Sequence, residues 1–264
     1  MRDDEQASGA PSLLLGTLEP LRAVGEFASL VPFAPVLASA PRGEGDHVLV
    51  LPGFMASDSS TRVLRRFLDG RGFRSFPWDL GRNLGFGSVG HLLDDLLARA
   101  NDRAGGPISL IGWSLGGVMA RRLAKRRPDA VRHLIMLGSP IGGPPTRTTA
   151  WHLYDRVDPG RREEVEARYR DPALRTPAAG VPSTAIYSRT DGVVPWQIAR
   201  ETSGPLTENI EVLASHIGLG VNPGVFYAVA DRLTQRPETW QPFRAPLLLR
   251  GLLGNGMSNR EPPR

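Results

Sequence analysis

The sequence contains no cysteine, only one lysine (Lys125) among its 32 basic residues, and few aromatic residues, 7% of the chain. The absence of cysteine excludes disulfides, thiolate metal ligands and a cysteine nucleophile. The 32 Lys and Arg residues exceed the 27 Asp and Glu residues by five. Arginine usage of this kind can reflect codon bias, so the basic charge is only a weak indication of a polyanionic partner.

Long apolar runs are also missing. The chain starts MRDDEQ, which is acidic overall, whereas a secretory signal peptide starts with positive charge. The longest uncharged stretch near the N-terminus, residues 27–41, is interrupted by Pro32 and Pro35 and is too short to span a bilayer. We therefore expect no signal peptide, no membrane span and a cytoplasmic location. Peripheral membrane contact through the N-terminal segment or residues 247–253 is a less favoured alternative to core packing of both segments.

One predicted helix carries a cluster of basic residues with i, i+4 spacing: Arg121, Arg122, Lys125, Arg126 and Arg127. A solvated outer helix face explains this cluster better than a nucleic-acid or membrane-surface patch, because no aromatic residues are interleaved with it. We therefore predict no nucleic-acid partner.

Short apolar runs alternate with helical periods along most of the chain. Strands are predicted at 47–51, 73–78, 108–112, 132–137, 183–188 and 209–213. Helices are predicted to start at caps Asp58 and Ser88, directly after Ser114, and at cap Asn222 with Pro223 in its first turn. Continuous apolar strands separated by helices indicate an α/β domain with a mostly parallel sheet that helices cover on both faces.

The predicted core comprises residues 45–141 and 181–236, preceded by a helical N-terminal segment, 1–44. Residues 142–180 are rich in Pro, Thr and Arg, with a short helix predicted near 162–170, and they interrupt the alternation. An insertion of this size between two strands cannot continue the sheet, so we expect a small cap or lid over one edge. Residues 237–264 form a Pro-rich tail.

Residues 112–116 read Gly-Trp-Ser-Leu-Gly, between an apolar strand and a helix-compatible run. In a strand-to-helix turn, flanking glycines allow a strained backbone that leaves the hydroxyl of Ser114 exposed above the sheet. The helix N-terminus supplies free N–H groups where negative charge would develop on a substrate carbonyl. An ordinary glycine turn is the simpler alternative, but the setting favours a nucleophile.

These residues resemble the α/β-hydrolase superfamily, in particular its bacterial serine lipase and esterase branch, over roughly residues 45–236. The resemblance implies the chain order Ser, acid, His, with the acid after a late strand and the His after the last one. A serine hydroxyl also needs a base within reach, and the base needs an acid to fix its tautomer.

His216 is the candidate base, since it alone of five histidines follows the final predicted strand on a glycine-containing loop. Asp191, at the end of the strand 183–188, is the candidate acid, although Asp-Gly is also a common turn. Asp79, Asp155 and Asp158 fit this position less well.

The resemblance further implies an oxyanion hole formed by the backbone N–H groups of Leu115 and Phe54. Many lipases of this group have His-Gly-x in the early loop, where this sequence has Pro52-Gly53-Phe54. The missing His is a departure from the family pattern. A backbone donor does not depend on it.

We therefore expect a serine hydrolase that cleaves carboxylic esters, small or lipid-like, with apolar acyl chains through an acyl-enzyme. Alternatives are an acyltransferase with a lipid or alcohol acceptor and a non-catalytic ligand-binding protein of the same fold. Met55, Trp113, Trp151 and Trp196 are candidate lining residues of the substrate pocket. No nucleotide or metal motif is present, so we predict no metal and no cofactor. The oligomeric state is left open.

Overall fold

Six strands form a single, wholly parallel sheet in the computed structural model, which describes residues 11–160, 162–163, 165–166 and 176–253. The strands are β1 (His47–Leu51), β2 (Arg74–Phe76), β3 (Ile108–Trp113), β4 (Val131–Leu137), β5 (Ser183–Tyr187) and β6 (Thr207–Glu211). Their order is β2-β1-β3-β4-β5-β6, and each neighbouring pair is parallel. The predicted α/β class is confirmed.

The sheet is buried on both faces, as expected for parallel strands with helices on either side. Successive residues of β1 show this directly. Val48 and Val50 belong to one apolar cluster, and Leu49 and Leu51 belong to another on the opposite face. The chain runs from β1 outward to β2 and then returns to β3 on the other side of β1. The loops after β1 and β3 therefore lie at the topological switch point, where open α/β sheets bind ligands.

Helices flank the sheet on both faces. They are α1 (Leu13–Ser29), α2 (Ala34–Ala38), α3 (Asp58–Gly70), α4 (Phe86–Val89), α5 (Leu93–Ala104), α6 (Leu115–Arg126), α7 (Trp151–Val157) and α8 (Pro223–Thr234). The predicted start of α8 is confirmed, because the Asn222 side chain accepts hydrogen bonds from the N–H groups of Gly224 and Val225. Short 3₁₀ turns occupy Gly90–Leu92, Pro128–Ala130, Pro145–Arg147, Trp196–Ile198, Gly218–Gly220, Pro237–Thr239 and Leu247–Leu252.

Two predicted helix caps are wrong. Asp58 is the first residue of α3, and its carboxylate accepts from the N–H groups of Trp78 (2.9 Å) and Asp79 (3.2 Å). Ser88 lies inside α4, and a 3₁₀ turn separates it from α5. The local sequence predicts that the Asp58 side chain caps α3, but this side chain instead binds residues that follow it by about 20 positions in the chain. The last strand also begins two residues before its predicted start.

The basic cluster on α6 is not uniformly solvated, contrary to the prediction. Arg121 is only 6% exposed, and its guanidinium donates to both carboxylate oxygens of Glu201, at 2.7 and 2.9 Å. It also donates to the carbonyl of Thr176 at 2.7 Å. A bidentate partner 80 residues along the chain keeps this guanidinium buried.

The outer side of α1 is apolar and exposed, so core packing does not account for that side of the segment. Its exposed side chains include Leu13, Leu14, Leu21 and Val24. Among the described residues, no helix is long and apolar enough to cross a membrane.

The C-terminal tail returns to the edge of the sheet. Leu249 is buried, whereas Leu247 and Leu248 are exposed. Leu253 forms an isolated antiparallel bridge with Val212, just after β6.

The described part of residues 142–180 adds no strand to the sheet. It contains α7, whose Trp151 and Tyr154 are buried. The helix predicted near 162–170 lies mostly outside the described residues. Residues 162–163 and 165–166 are helical.

Candidate active site

Ser114 occupies a sharp turn between β3 and α6, with φ 53° and ψ −120°. Left-handed backbone at a non-glycine residue costs on the order of 1–3 kcal/mol and clusters at functional sites. Its N–H donates to the carbonyl of Leu137 in β4 at 2.8 Å, which fixes the turn against the sheet. The side chain is half-buried and faces a cavity.

The glycines around Ser114 are required by close backbone contacts. A Cβ at Gly112 would lie 2.3 Å from the Cα of Gly117, and one at Gly116 would lie 2.4 Å from the carbonyl oxygen of Leu51. No side chain fits at such distances. The spacing of the motif therefore follows from how tightly α6 crosses β3 and the loop after β1.

Asp191 and His216 are hydrogen-bonded to each other, with 2.7 Å between Asp191 Oδ2 and His216 Nδ1. They follow β5 and β6 respectively, and they are 4% and 7% exposed. The second oxygen of Asp191 accepts from the N–H groups of Val193 (2.8 Å) and Val194 (2.7 Å). These bonds orient the carboxylate, and it in turn makes Nδ1 the protonated nitrogen of a neutral imidazole, which leaves Nε2 to act as a base.

Two opposing effects act on the pKa of the His216 imidazole. Burial lowers it, since the interior disfavours the charged ring. The charge of Asp191, its hydrogen bond and the charge of Glu19 together outweigh burial, so the pKa of His216 lies above its ordinary value of 6.5. An imidazolium formed during a reaction is therefore stabilised in this position.

The Asp191–His216 pair lies beside the Ser114 turn. The indole N–H of Trp113 donates to the carbonyl of His216 at 3.1 Å. A Cβ at Gly138, which follows the residue bonded to the Ser114 N–H, would lie 3.2 Å from His216 Nδ1. Within the described ranges, no hydrogen bond joins Ser114 Oγ to His216. Such bonds often tighten only when substrate is bound.

The loop after β1 brings Phe54 next to the Ser114 turn, since a Cβ at Gly53 would lie 3.4 Å from Ser114 Cβ. Among the described residues, the N–H groups of Phe54 and Leu115 donate no hydrogen bond, so both are available for an oxygen atom of a ligand.

Asn83 holds this loop and was not among the residues predicted for the site. Its amide donates to the carbonyl of Pro52 at 2.9 Å and accepts from the N–H of Gly85 at 3.2 Å. Its backbone N–H and C=O bond to Ala56 and Met55, each at 2.8 Å. Asn83 is completely buried. An asparagine between glycines in the loop 79–87 was the available sequence signal.

A mainly apolar cavity opens beside Ser114, with an empty volume of about 820 Å³ including open solvent at its mouth. Its lining residues are Phe54, Phe86, Ser114, Leu115, Val118, Arg122, Pro140, Pro145, Thr148, Ala150, Trp151, Tyr154, Val165, Val193 and Val194. Residues of the 142–180 insertion form one wall.

Of the residues predicted for the substrate pocket, Trp151 lines this cavity, and so do Phe54 and Leu115, the predicted oxyanion donors. Met55, Trp113 and Trp196 are not among its lining residues. Trp113 lies against His216, and Trp196 stacks on Tyr187 with 6.1 Å between ring centroids. Within the described ranges, no group of three His, Asp or Glu side chains could hold a metal ion.

A family model described as the alpha/beta hydrolase family matches residues 47–263 of the sequence. The chain belongs to the alpha/beta hydrolase family. The match covers the whole sheet, the Ser114 turn, Asp191 and His216, but it begins after α1 and α2.

Solved structures with similar folds include several hydrolases. This alpha/beta hydrolase has a TM-score of 0.58 and 16% identity to Aspergillus fumigatus lipase B, covering 75% of this chain and 57% of the lipase. It has a TM-score of 0.53 and 17% identity to Paleococcus ferrophilus monoacylglycerol lipase, and the match covers 73% of this chain and 97% of that lipase. For the pyrethroid hydrolase PytH the TM-score is 0.53 and the identity is 24%, and the match covers 73% of this chain and 98% of PytH. These likenesses concern the fold. A comparison with curated proteins found no match.

Proposed function

We propose that this protein is a serine hydrolase that cleaves carboxylic esters with apolar acyl chains, with Ser114 as nucleophile, His216 as base and Asp191 as its orienting acid. The observation that carries the proposal is the buried 2.7 Å Asp191–His216 pair beside the strained Ser114 turn. Strained backbone and a raised histidine pKa at one sheet edge are expected where a nucleophile is activated.

In the first half-reaction Ser114 Oγ attacks the ester carbonyl carbon while His216 Nε2 takes the hydroxyl proton. The carbonyl oxygen becomes an oxyanion, which the N–H groups of Phe54 and Leu115 stabilise. Collapse of this intermediate breaks the bond to the alcohol, and His216 returns the proton to the leaving oxygen. In the second half-reaction His216 takes a proton from water while the water oxygen attacks the acyl carbon, which forms a second oxyanion. Collapse of this oxyanion breaks the bond to Ser114 Oγ, His216 gives its proton to that oxygen, and the carboxylic acid is released.

The substrate class is argued from the cavity wall. Apart from Ser114, the polar or charged lining side chains are Arg122, Thr148 and Tyr154, and the rest are apolar. Phe54 and Tyr154 both line the cavity and pack edge to face with 5.2 Å between ring centroids, which links the 142–180 insertion to the proposed oxyanion loop. An acyl chain would lie in the cavity that these residues line, and the insertion would act as its lid.

The test is hydrolysis of p-nitrophenyl esters from acetate to dodecanoate by the parent protein and by Ser114→Ala. We expect turnover that increases with acyl length, and a loss on the order of 10⁴-fold or more in the variant. A fluorophosphonate should label the parent at Ser114. The matched control is Ser59→Ala, which should leave the rate unchanged, because Ser59 is an exposed serine in the first turn of α3. Full activity of purified Ser114→Ala would reject the proposal. Diversion of the acyl group to an added alcohol would instead assign acyl transfer.

A further inference from the structure

Helix α1 turns its charged side toward the protein and its apolar side outward. Glu19, Arg22 and Glu26 lie on the inner side, and Glu19 is only 3% exposed. A carboxylate buried to this degree has to be compensated by hydrogen-bond donors. The donors are found in the two loops that carry Asp191 and His216.

Glu19 bridges these two loops. Its Oε1 accepts from the N–H of Gly192 at 2.8 Å, and its Oε2 accepts from the N–H of Ile217 at 2.9 Å. Gly192 directly follows Asp191, and Ile217 directly follows His216. One carboxylate therefore fixes the distance between the two backbone segments.

Arg22 and Glu26 hold the residues on the other side of the same pair. Arg22 donates to the carbonyl and the hydroxyl of Thr190, at 2.6 and 2.8 Å. Glu26 accepts from the N–H of Ser215 at 2.7 Å. Asp191 and His216 are thus each flanked, before and after, by a residue bonded to α1.

Two glycines let the helix approach this closely. A Cβ at Gly192 would lie 2.6 Å from the carbonyl carbon of Leu15, and a Cβ at Gly218 would collide with the carboxylate of Glu26. The loops and the helix are therefore fitted to each other at backbone contact.

We propose that α1 is a positioning element for the acid–base pair and that Glu19 is its principal positioning residue, holding Asp191 and His216 at reacting distance by binding the residue after each. The proposal rests on the proposed function for its catalytic meaning. The family match begins at His47, so the helix lies outside the part of the chain that the match covers.

Glu19 also acts on His216 through its charge. The charged groups that act on this imidazole are Asp191, from the loop after β5, and Glu19, from α1. Arg22 and Glu26 of α1 also face this region, where they bind Thr190 and Ser215. Asp191 and Glu19 both favour the imidazolium and raise the pKa of His216. Loss of the Glu19 charge should lower the pKa of His216, which mere destabilisation of the fold does not do.

The experiment compares Glu19→Gln with Glu208→Gln. Glu208 is the matched control, since it is 5% exposed, accepts from a backbone N–H (Phe243, 2.8 Å) and an arginine (Arg232, 2.8 Å), and lies in β6 away from the site. For each full-length variant, kcat and KM on a p-nitrophenyl ester are measured per folded molecule, and the His216 ring is titrated by NMR. Glutamine keeps one acceptor oxygen, so the chain should still fold.

For Glu19→Gln we expect kcat to fall roughly 10- to 100-fold with little change in KM, because misplacement of reacting groups by about 1 Å costs about that much. We also expect the His216 titration to move to lower pH. Glu208→Gln should lower the unfolding midpoint but change neither readout. If Glu19→Gln does not fold, Glu26→Gln, at a half-buried position, should also lower kcat with little change in KM, because Glu26 holds Ser215 next to His216.

If Glu19→Gln has the same kcat and the same His216 titration midpoint as Glu208→Gln, the proposal is overturned. If the parent hydrolyses no ester, the proposed function fails separately. In that case a lower His216 titration in Glu19→Gln alone still supports α1 as the positioning element, and an unchanged titration rejects it.

Discussion

Replacing Asn83 by alanine tests whether the loop after β1 has to be anchored for catalysis. The substitution removes the donor to the Pro52 carbonyl and the acceptor for the Gly85 N–H. Both backbone groups belong to buried residues. A buried polar group without a partner costs about 1–3 kcal/mol, so the free energy of unfolding should fall by about 2–6 kcal/mol unless water enters. The backbone bonds of Asn83 to Met55 and Ala56 remain, so the loop should loosen rather than unfold.

The catalytic effect should exceed what the stability loss explains. Pro52 stands two residues before Phe54, whose N–H is the proposed oxyanion donor. Complete loss of one such donor costs about 10²–10³ in kcat. A loosened Asn83→Ala loop should therefore lower kcat by roughly 10- to 100-fold, with KM close to the parent value because the cavity wall is otherwise intact.

The control is Asn101→Ala, at the opposite end of the sheet. The amide of Asn101 donates to the carbonyls of Gly106 and Ala130, each at 2.9 Å. The Asn101→Ala variant should show a similar loss of stability in urea unfolding but an unchanged kcat. If Asn83→Ala and Asn101→Ala have equal kcat per folded molecule, Asn83 does not position the oxyanion loop and the reasoning fails.

Three further predictions concern other parts of the fold. Since the pKa of His216 is raised and the neutral ring is the base, kcat/KM should rise with pH to a half-maximum above pH 6.5; D191N should move that midpoint lower and cost on the order of 10⁴-fold. A pH-rate profile with its midpoint below 6.5 in the parent would contradict this. Gly116→Ala should abolish activity, because its Cβ would collide with the carbonyl oxygens of Leu51 and Pro52 at the end of β1, and a crystal structure with an unmoved loop would disprove the collision. R121M should lower the free energy of unfolding by about 3–5 kcal/mol by leaving Glu201 buried and unpaired, while activity per folded molecule stays within error; a change below 1 kcal/mol in urea would show that the pair is dispensable.

The sequence was most informative where structure depends on neighbours along the chain. The elbow around Ser114 was predictable, because the glycines that permit it stand two positions away on either side. The sheet followed from apolar runs whose burial on both faces is a local property of each strand. Asp191 and His216 were found by topology, since the carboxyl ends of parallel strands meet at one edge.

Contacts between distant segments were not predictable in the same way. Asp58 looked like a helix cap, but its carboxylate bonds to N–H groups about 20 residues later. Arg121 was predicted to be solvated, because its neighbours at i, i+4 spacing do not indicate that Glu201 binds its guanidinium. The burial of the charged side of α1 was not predictable either, because it reverses the usual orientation of an amphipathic helix. A helix with apolar residues usually buries them, and here Glu19 is buried instead.

The C-terminal tail has a consequence for how this protein behaves at high concentration. β6 is an edge strand, and the residues just after it are paired with the tail through the Val212–Leu253 bridge and a hydrogen bond from the Leu213 N–H to the Leu252 carbonyl, 2.8 Å. Exposed edges invite strands from other molecules to add to a sheet. Removing the tail from residue 247 onward would uncover that stretch, so we expect the shortened chain to self-associate at concentrations where the full chain does not.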